Sequence, residues 1–380
     1  MIASRVKLSR GLVLGGGAIL LLWAAGALSI LLRLFLGLGA TTNLNDTTAW
    51  GLWIGFDVMS GVALAAGGFV VAGSVYVLGR EKYRPILRSA ILTAFLGYLL
   101  VIFGLILDIG QPWRIWHPIV MWNTRSVLLE VAWCVMAYTT ILALEFSPIV
   151  LERFHLKTPL RIIHALTPVF VILGVILSTL HQSSLGSLFL IMPEKINPLW
   201  YSPLLPVFFF FSAVAVGLAM VIVESSLSSR FFKRGLEIGI LSDLGWAAVW
   251  VLAGYLALRF GDLVQRGALA NAFTLSFPTF LFWLEIGGGA ILPMLLLART
   301  RVRTSPKGLF RCAALIVGGV VLYRLNLAIF SFWMYTGNHY VPSLPEFLVT
   351  LTLLSAGVVA FGVIARYFPV FDTEKAHGQS

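Results

Sequence analysis

Three acids and an Arg–Trp loop interrupt long apolar runs in the middle of this chain. The stretch Asp108-Ile-Gly-Gln-Pro-Trp-Arg-Ile-Trp-His-Pro leads through Trp122, Asn123 and Arg125 to Ser126-Val-Leu-Leu-Glu130 and on to Ala143-Leu-Glu145-Phe146. Hydrocarbon tolerates a carboxylate only where it has a partner or a task. A carboxyl group a turn inside an apolar helix can take and release protons. Cys134 and Tyr138 follow Glu130 at i+4 and i+8, so a polar stripe runs along nearly one helix face. Glu130 and Glu145 lie roughly 22 Å apart along that axis, too far for an acid pair but suited to two ends of a water-filled route. Glu224, Asp243 and His164 fall near the depth of Glu145. Interfacial capping explains Glu145 and Asp243 almost as well, because both sit close to helix ends.

A second set of polar residues gathers toward the opposite end. Counted from their helix starts, Asp57, Glu130 and Glu285 lie about 7–12 Å in from the end that carries the 108–125 loop, and His181 reaches a similar level. Arg324 falls in the same half, while Asp108, Arg259 and Asp262 sit where helices end there. Such a mixture suits holding a polar head group and passing protons. Packing ion pairs, for instance Asp108 with Arg259, are the plainer alternative. The run His181-Gln182-Ser183-Ser184-Leu-Gly-Ser187 is the densest polar cluster in an otherwise apolar region. A haem held by two histidines needs both imidazoles at one depth, whereas His164 and His181 are about 25 Å apart along one helix. His117, His155, His339 and His377 belong to loops or the tail, so haem b is disfavoured. Cys134 and Cys312 show no Cys-x-x-Cys spacing, and any iron–sulfur cluster must therefore sit on a partner.

The elements that position these residues are membrane spans. The 380 residues are 59% hydrophobic and 11% charged, with mean hydropathy +0.94, too apolar for a soluble domain. At roughly 20 apolar residues per span, about ten runs qualify, near 12–36, 50–78, 89–107, 126–146, 162–185, 204–227, 240–258, 277–297, 309–332 and 347–367. An all-α polytopic membrane protein is expected, with Pro148, Pro198 and Pro203 at loops. The first run outlasts a signal-peptide core and reads as a retained anchor. The net charge of +11 does not indicate nucleic acid, because most Lys and Arg lie in short loops on alternate sides. Arg5, Lys7, Arg10, the 80–88, 153–161, 230–234 and 299–311 groups, Arg366 and Lys375 mark one side as cytoplasmic by the positive-inside rule, with both termini there. The 108–125 loop then faces outward. Trp50, Trp53, Trp122 and Trp200 fall at that boundary as an interfacial aromatic belt. Trp113 and Trp116 flank Arg114 within the loop, which better suits a docking surface.

A faint internal repeat divides the chain. Leu107-Asp108-Ile-Gly110 with Arg114 beyond it resembles Leu258-Arg259-Phe-Gly261 with Arg266 beyond it, and Leu129-Glu130 resembles Leu284-Glu285. Two parallel four-helix bundles follow, helices 2–5 and 6–9, with flanking helices at either end. The segments are 1–49, 50–203, 204–345 and 346–380 of one integral membrane domain.

Taken together, Trp50-Gly-Leu-Trp-Ile-Gly-Phe-Asp57, Ser126-Val-Leu-Leu-Glu130, Ala143-Leu-Glu-Phe146, His181-Gln-Ser-Ser-Leu-Gly-Ser187, Pro198-Leu-Trp200 and Leu258-Arg-Phe-Gly-Asp262 make the chain resemble the NrfD/PsrC family of quinone-interacting membrane subunits. Within it, the resemblance is to the HybB-type membrane subunits of periplasm-facing NiFe hydrogenases. The chain departs from the Gly-Arg-Pro of many relatives at Gly110-Gln-Pro-Trp-Arg114. The resemblance implies a bacterial cytoplasmic membrane location and a chain without haem or iron–sulfur cluster of its own. It also implies a periplasmic ferredoxin-like iron–sulfur subunit and hydrogenase small and large subunits as partners, with a polysulfide, nitrite or cytochrome-linked oxidoreductase as the alternative assembly. Menaquinone or ubiquinone would be held in the outer half, and its head-group pocket is expected from His181, Gln182, Ser183, Asp57, Asp108, Arg259 and Asp262. Glu130, His181, Asp57, Asp108 and Glu285 are expected to handle protons at the quinone. The route through the membrane is expected along Glu130, Tyr138, Glu145, Glu224, Asp243 and Arg324, with docking at Trp113, Arg114 and Trp116. A proton-coupled transporter built on the same polar core is the alternative from a different functional class.

Overall fold

The computed structural model of the chain describes residues 10–333 and 339–371, with side chains from residue 15 onward. Arg5, Lys7, Lys375 and His377 lie outside the described residues. Among the described residues there is no strand, and ten helices are long and apolar enough to cross a membrane. They are α1 (Arg10–Leu36), α2 (Trp53–Tyr76), α3 (Arg84–Asp108), α4 (Val127–Arg153), α5 (Lys157–Ser187), α6 (Leu205–Phe231), α7 (Ile238–Gln265), α8 (Phe277–Ala298), α9 (Pro306–Ala328) and α10 (Leu344–Tyr367). The all-α polytopic architecture expected from the apolar runs is the architecture found. Connections alternate between an aromatic end, which carries the 108–125 loop, and a basic end.

Helix starts are set by local chemistry. Ser126, Ser276, Ser305 and Ser343 each accept a hydrogen bond from the first turn of the helix they precede, and Ser343 forms a full capping box with Glu346, satisfying donors that lipid cannot. Pro148 lies inside α4 and not at a loop as expected, and Pro168 lies inside α5. The apolar medium favours a continued helix so strongly that the loss of one backbone bond at each proline is absorbed.

Helices α2–α5 close a ring in which α2 packs on α3 and α5, and α4 bridges the other two; α6–α9 close a second ring of the same kind. Contacts of α6 with α2 and α5, and of α9 with α2, join the rings, while α1 and α10 pair and lie against α3. Lipid gives no hydrophobic drive between helices, so close approach relies on small residues. A Cβ on Gly289 of α8 would fall 2.3 Å from the Cα of Gly319 in α9, and one on Gly217 of α6 would fall 2.9 Å from the backbone of α2.

Two spans are not regular. Trp53–Val58 at the start of α2 and Leu284–Ile291 in α8 are π-helical. Each π segment holds one buried acid, Asp57 and Glu285 respectively. Such one-residue insertions re-aim the local side chains and concentrate at functional sites.

Candidate functional site

The polar residues of the aromatic half fall into three neighbouring groups instead of one constellation. The first lies inside the α2–α5 ring. His181 of α5 is fully buried, and its Nδ1 shares a 2.9 Å hydrogen bond with the Tyr98 hydroxyl of α3. Its Nε2 has no partner. The Tyr98 ring meets Tyr138 of α4 edge-on, with centroids 4.7 Å apart, and Ser178 of α5 faces both phenols. Gln182 donates 3.1 Å to the Val62 carbonyl of α2, leaving its own carbonyl oxygen free. Ser183 beside it is half-buried. At the aromatic end Ser184 donates 2.5 Å to Glu130, whose position at the start of α4 is exposed. Toward the basic end Glu145 is buried against Gly174, where a Cβ would lie 3.3 Å from its carboxyl oxygen. Glu130, Cys134, Tyr138 and Glu145 thus share α4 as the spacing requires. An orphaned imidazole nitrogen flanked by free hydroxyl and amide groups is costly when dry, and such groups ordinarily meet water or a ligand.

The second group sits where α1, α2, α3 and α10 meet. Thr350 of α10 donates 2.7 Å to Asp57, and Gly104 of α3 makes room, since a Cβ there would approach the Asp57 Cβ to 3.0 Å. Asp108, half-buried at the end of α3, has Arg33 of α1 as its cationic neighbour. Arg33, almost fully buried, donates to the carbonyls of Leu107 at 2.7 Å and Ile109 at 2.6 Å. Glu346 accepts from the Tyr340 hydroxyl and from the Ser343 and Asn43 amides, tying the first loop to α10. Burial and that hydrogen bond push the Tyr340 phenol well above its usual range, so it stays a donor.

The third group fills the α6–α9 ring. Trp200 and Asn326 donate to one oxygen of Glu285 at 2.8 and 2.7 Å, and the other oxygen is free. Arg259 and Arg324 are fully buried. Arg259 reaches the Leu199 carbonyl at 2.9 Å, and Arg324 reaches Ser212 at 3.0 Å. Arg324 lies 3.5 Å over the Phe209 ring, and both guanidiniums flank Tyr323. Asp262 stands apart, bound by Ser202 at 2.8 Å and by Arg266 at 2.7 Å.

Asp57 and Asp108 are therefore near each other, His181, Gln182, Tyr138 and Glu130 form a separate string, and Arg259 and Asp262 belong to the other ring. The pairing of Asp108 with Arg259 does not occur among the described residues: its cationic neighbour is Arg33 of a flanking helix, which hydrogen-bonds the adjoining backbone. Glu224 is buried on α6 near the basic end. Asp243 is exposed and paired with Lys82 at 2.5 Å, away from the buried string. Trp53 and Trp200 are not belt residues. Both are buried and donate their indole N–H inward, to the Glu346 carbonyl and to Glu285, because buried acceptors need donors more than the interface needs aromatic rings. Trp113, Arg114 and Trp116 are all exposed at the aromatic end. Sequence reasoning missed Tyr98, Arg33, Thr350, Glu346 and Asn326. Only Arg33, a charge within the first apolar run, carried a signal that could have been followed.

Trp200→Phe is expected to lower stability by about 1–3 kcal/mol, because it removes a donor from a buried carboxylate. Thermal unfolding in detergent measures this, with Trp250→Phe on the exposed surface of α7 as a control that should shift little.

Residues 40–335 match the family described as "Polysulphide reductase, NrfD". A protein of Nitratidesulfovibrio vulgaris is 39% identical over 371 residues, covering 93% of this chain and 94% of its own length. The Escherichia coli "Probable Ni/Fe-hydrogenase 2 b-type cytochrome subunit" is 33% identical over 92% of this chain and 90% of its own. The N. vulgaris "Menaquinone reductase, integral membrane subunit" is 28% identical over 89% of this chain and 87% of its own. The residues present do not fit the haem that one of these descriptions names. A haem held between two histidines needs a second imidazole at the same depth, and of the described histidines His181 alone is buried.

Proposed function

The chain belongs to the NrfD family of oxidoreductase membrane subunits, and from that premise we propose that it passes electrons and protons between an iron–sulfur partner and a membrane quinone. A quinone takes two electrons and two protons to become a quinol, so its site needs a donor to a carbonyl oxygen that can also relay a proton. The observation that carries this reading is the buried His181, with Nδ1 on Tyr98 and Nε2 unpartnered. If Tyr98 donates to Nδ1, Nε2–H is left free to donate to a quinone carbonyl; Gln182 and Ser183 lie beside it, and Asp57 and Asp108, in the neighbouring group, would serve from the aromatic end. Menaquinone is supported by the menaquinone reductase relative.

The hydrogenase relative supports a NiFe hydrogenase, with its small and large subunits, as the source of electrons. Those subunits and a ferredoxin-like iron–sulfur subunit would sit on the periplasmic side of the bacterial inner membrane, against the exposed Trp113, Arg114 and Trp116. The basic end and both termini would then be cytoplasmic. The units of the chain would be 50–203, carrying the quinone site, and 204–345, carrying Glu285, Arg259 and Arg324, with 1–49 and 346–380 flanking them. Glu130, Tyr138 and Glu145 would lead protons across the first ring.

Co-purification tests the assembly. Arg114→Ala combined with Trp116→Ala is expected to release the iron–sulfur partner, cutting recovery at least about 10-fold, because such residues dominate small docking surfaces. Recovery of an intact complex with normal turnover would reduce the loop to an interfacial belt.

A further inference from the structure

We propose that a serine-lined cavity at the basic end is the port through which protons enter the chain, with Glu224 as the group that hands them inward. The inference rests on the quinone chemistry above and adds where its protons come from. The cavity, of about 30 Å³, opens between α3, α6 and the α6–α7 connection, and its polar wall is Ser89, Ser225, Ser228, Ser229, Arg234 and Glu237. Deeper, between α2, α3 and α6, Gly67, Gly68, Thr93 and Glu224 border a narrow, mostly apolar seam too tight for a resident water.

Glu224 stands between the two. It borders the inner seam, while Ser89, Ser225 and Ser228, which line the outer cavity, surround its carboxyl. It is buried, one of its oxygens has no partner, and the Thr93 hydroxyl on the far side is also unpartnered. The outer cavity has room for about one or two waters, each within reach of serine hydroxyls, and Glu224 with Thr93 spans the tight seam inside it. The seam lies between the two helix rings and not against lipid, the one setting in which open polar space is tolerated at membrane depth. From Thr93 the Tyr98 position is about 7.5 Å further along α3, and Tyr98 touches His181. Glu145 lies elsewhere, between α4 and α5, so the port is a separate entry from the interface of the rings that meets the α4 string where Tyr98 packs on Tyr138.

Ser228→Cys in the reconstituted complex, probed with a small charged thiosulfonate applied from one side at a time, tests the port. Labelling is expected from the basic side alone, above the background of the buried Cys134 and Cys312. The labelled complex should then lose at least about 10-fold of its quinone turnover relative to the same variant unlabelled, while electron delivery to a soluble acceptor persists. Glu224→Gln should reproduce that loss, and Glu224→Asp should restore part of it. A cysteine that stays unreactive from the basic side, or that reacts without loss of turnover, overturns the port. The quinone reading fails by a different result: a parent complex that never reduces quinone even though Ser228→Cys is labelled.

Discussion

Replacing His181 by alanine is expected to lower quinone reduction at least about 100-fold while the partner subunits go on reducing a soluble acceptor at the normal rate. Positioned proton transfer contributes roughly 10²- to 10⁴-fold, and His181 is the one buried described side chain that titrates in the neutral range in water. Its ring is held by Tyr98 at 2.9 Å, so Tyr98→Phe should cost less, about 10-fold, because it removes the orienting bond and leaves the imidazole. Both turnovers are measured on the same purified complex. Equal loss with both acceptors would mark an assembly defect and remove His181 from the chemistry.

Glu130→Gln is expected to suppress quinone turnover driven with or against a membrane potential by about 10- to 100-fold, with assembly intact. Glutamine keeps the shape and can still accept from Ser184, but it cannot ionise. The stripe below it, Cys134 and Tyr138, is buried and runs toward Glu145. If protons travel this stripe while electrons arrive from the other side, each turnover moves charge through the field, worth about 2.3 kcal/mol per charge per 100 mV. Proteoliposomes with an imposed potential measure the coupling. A fully coupled Glu130→Gln complex would reduce the residue to a partner for Ser184.

Much of this architecture was legible from the chain because hydrocarbon thickness imposes one length on every span and polar residues within it are conspicuous. Glu130, Tyr138 and Glu145 share a face simply because they share α4. What stayed hidden was pairing between distant segments. Nothing in the first apolar run says that Arg33 will lie beside Asp108, or that Thr350 will bind Asp57 across the whole length of the chain. Trp53 and Trp200 carried the signature of a belt, and only packing shows their indoles turned inward. The π segments holding Asp57 and Glu285 leave no compositional mark, since an inserted residue does not change how apolar a run is. The faint repeat carried no signal for the cationic neighbour of Asp108, because Arg33 lies on a flanking helix outside it.

Photo-crosslinking with an azido-quinone in the intact complex tests most directly whether the head group meets His181. Label is expected on the α3 and α5 peptides that carry Tyr98 and His181, displaced by excess menaquinone and lost in His181→Ala. Label confined to lipid-facing surfaces, or concentrated on α8 and α9 around Glu285 and Arg324, would contradict a quinone site in the first ring.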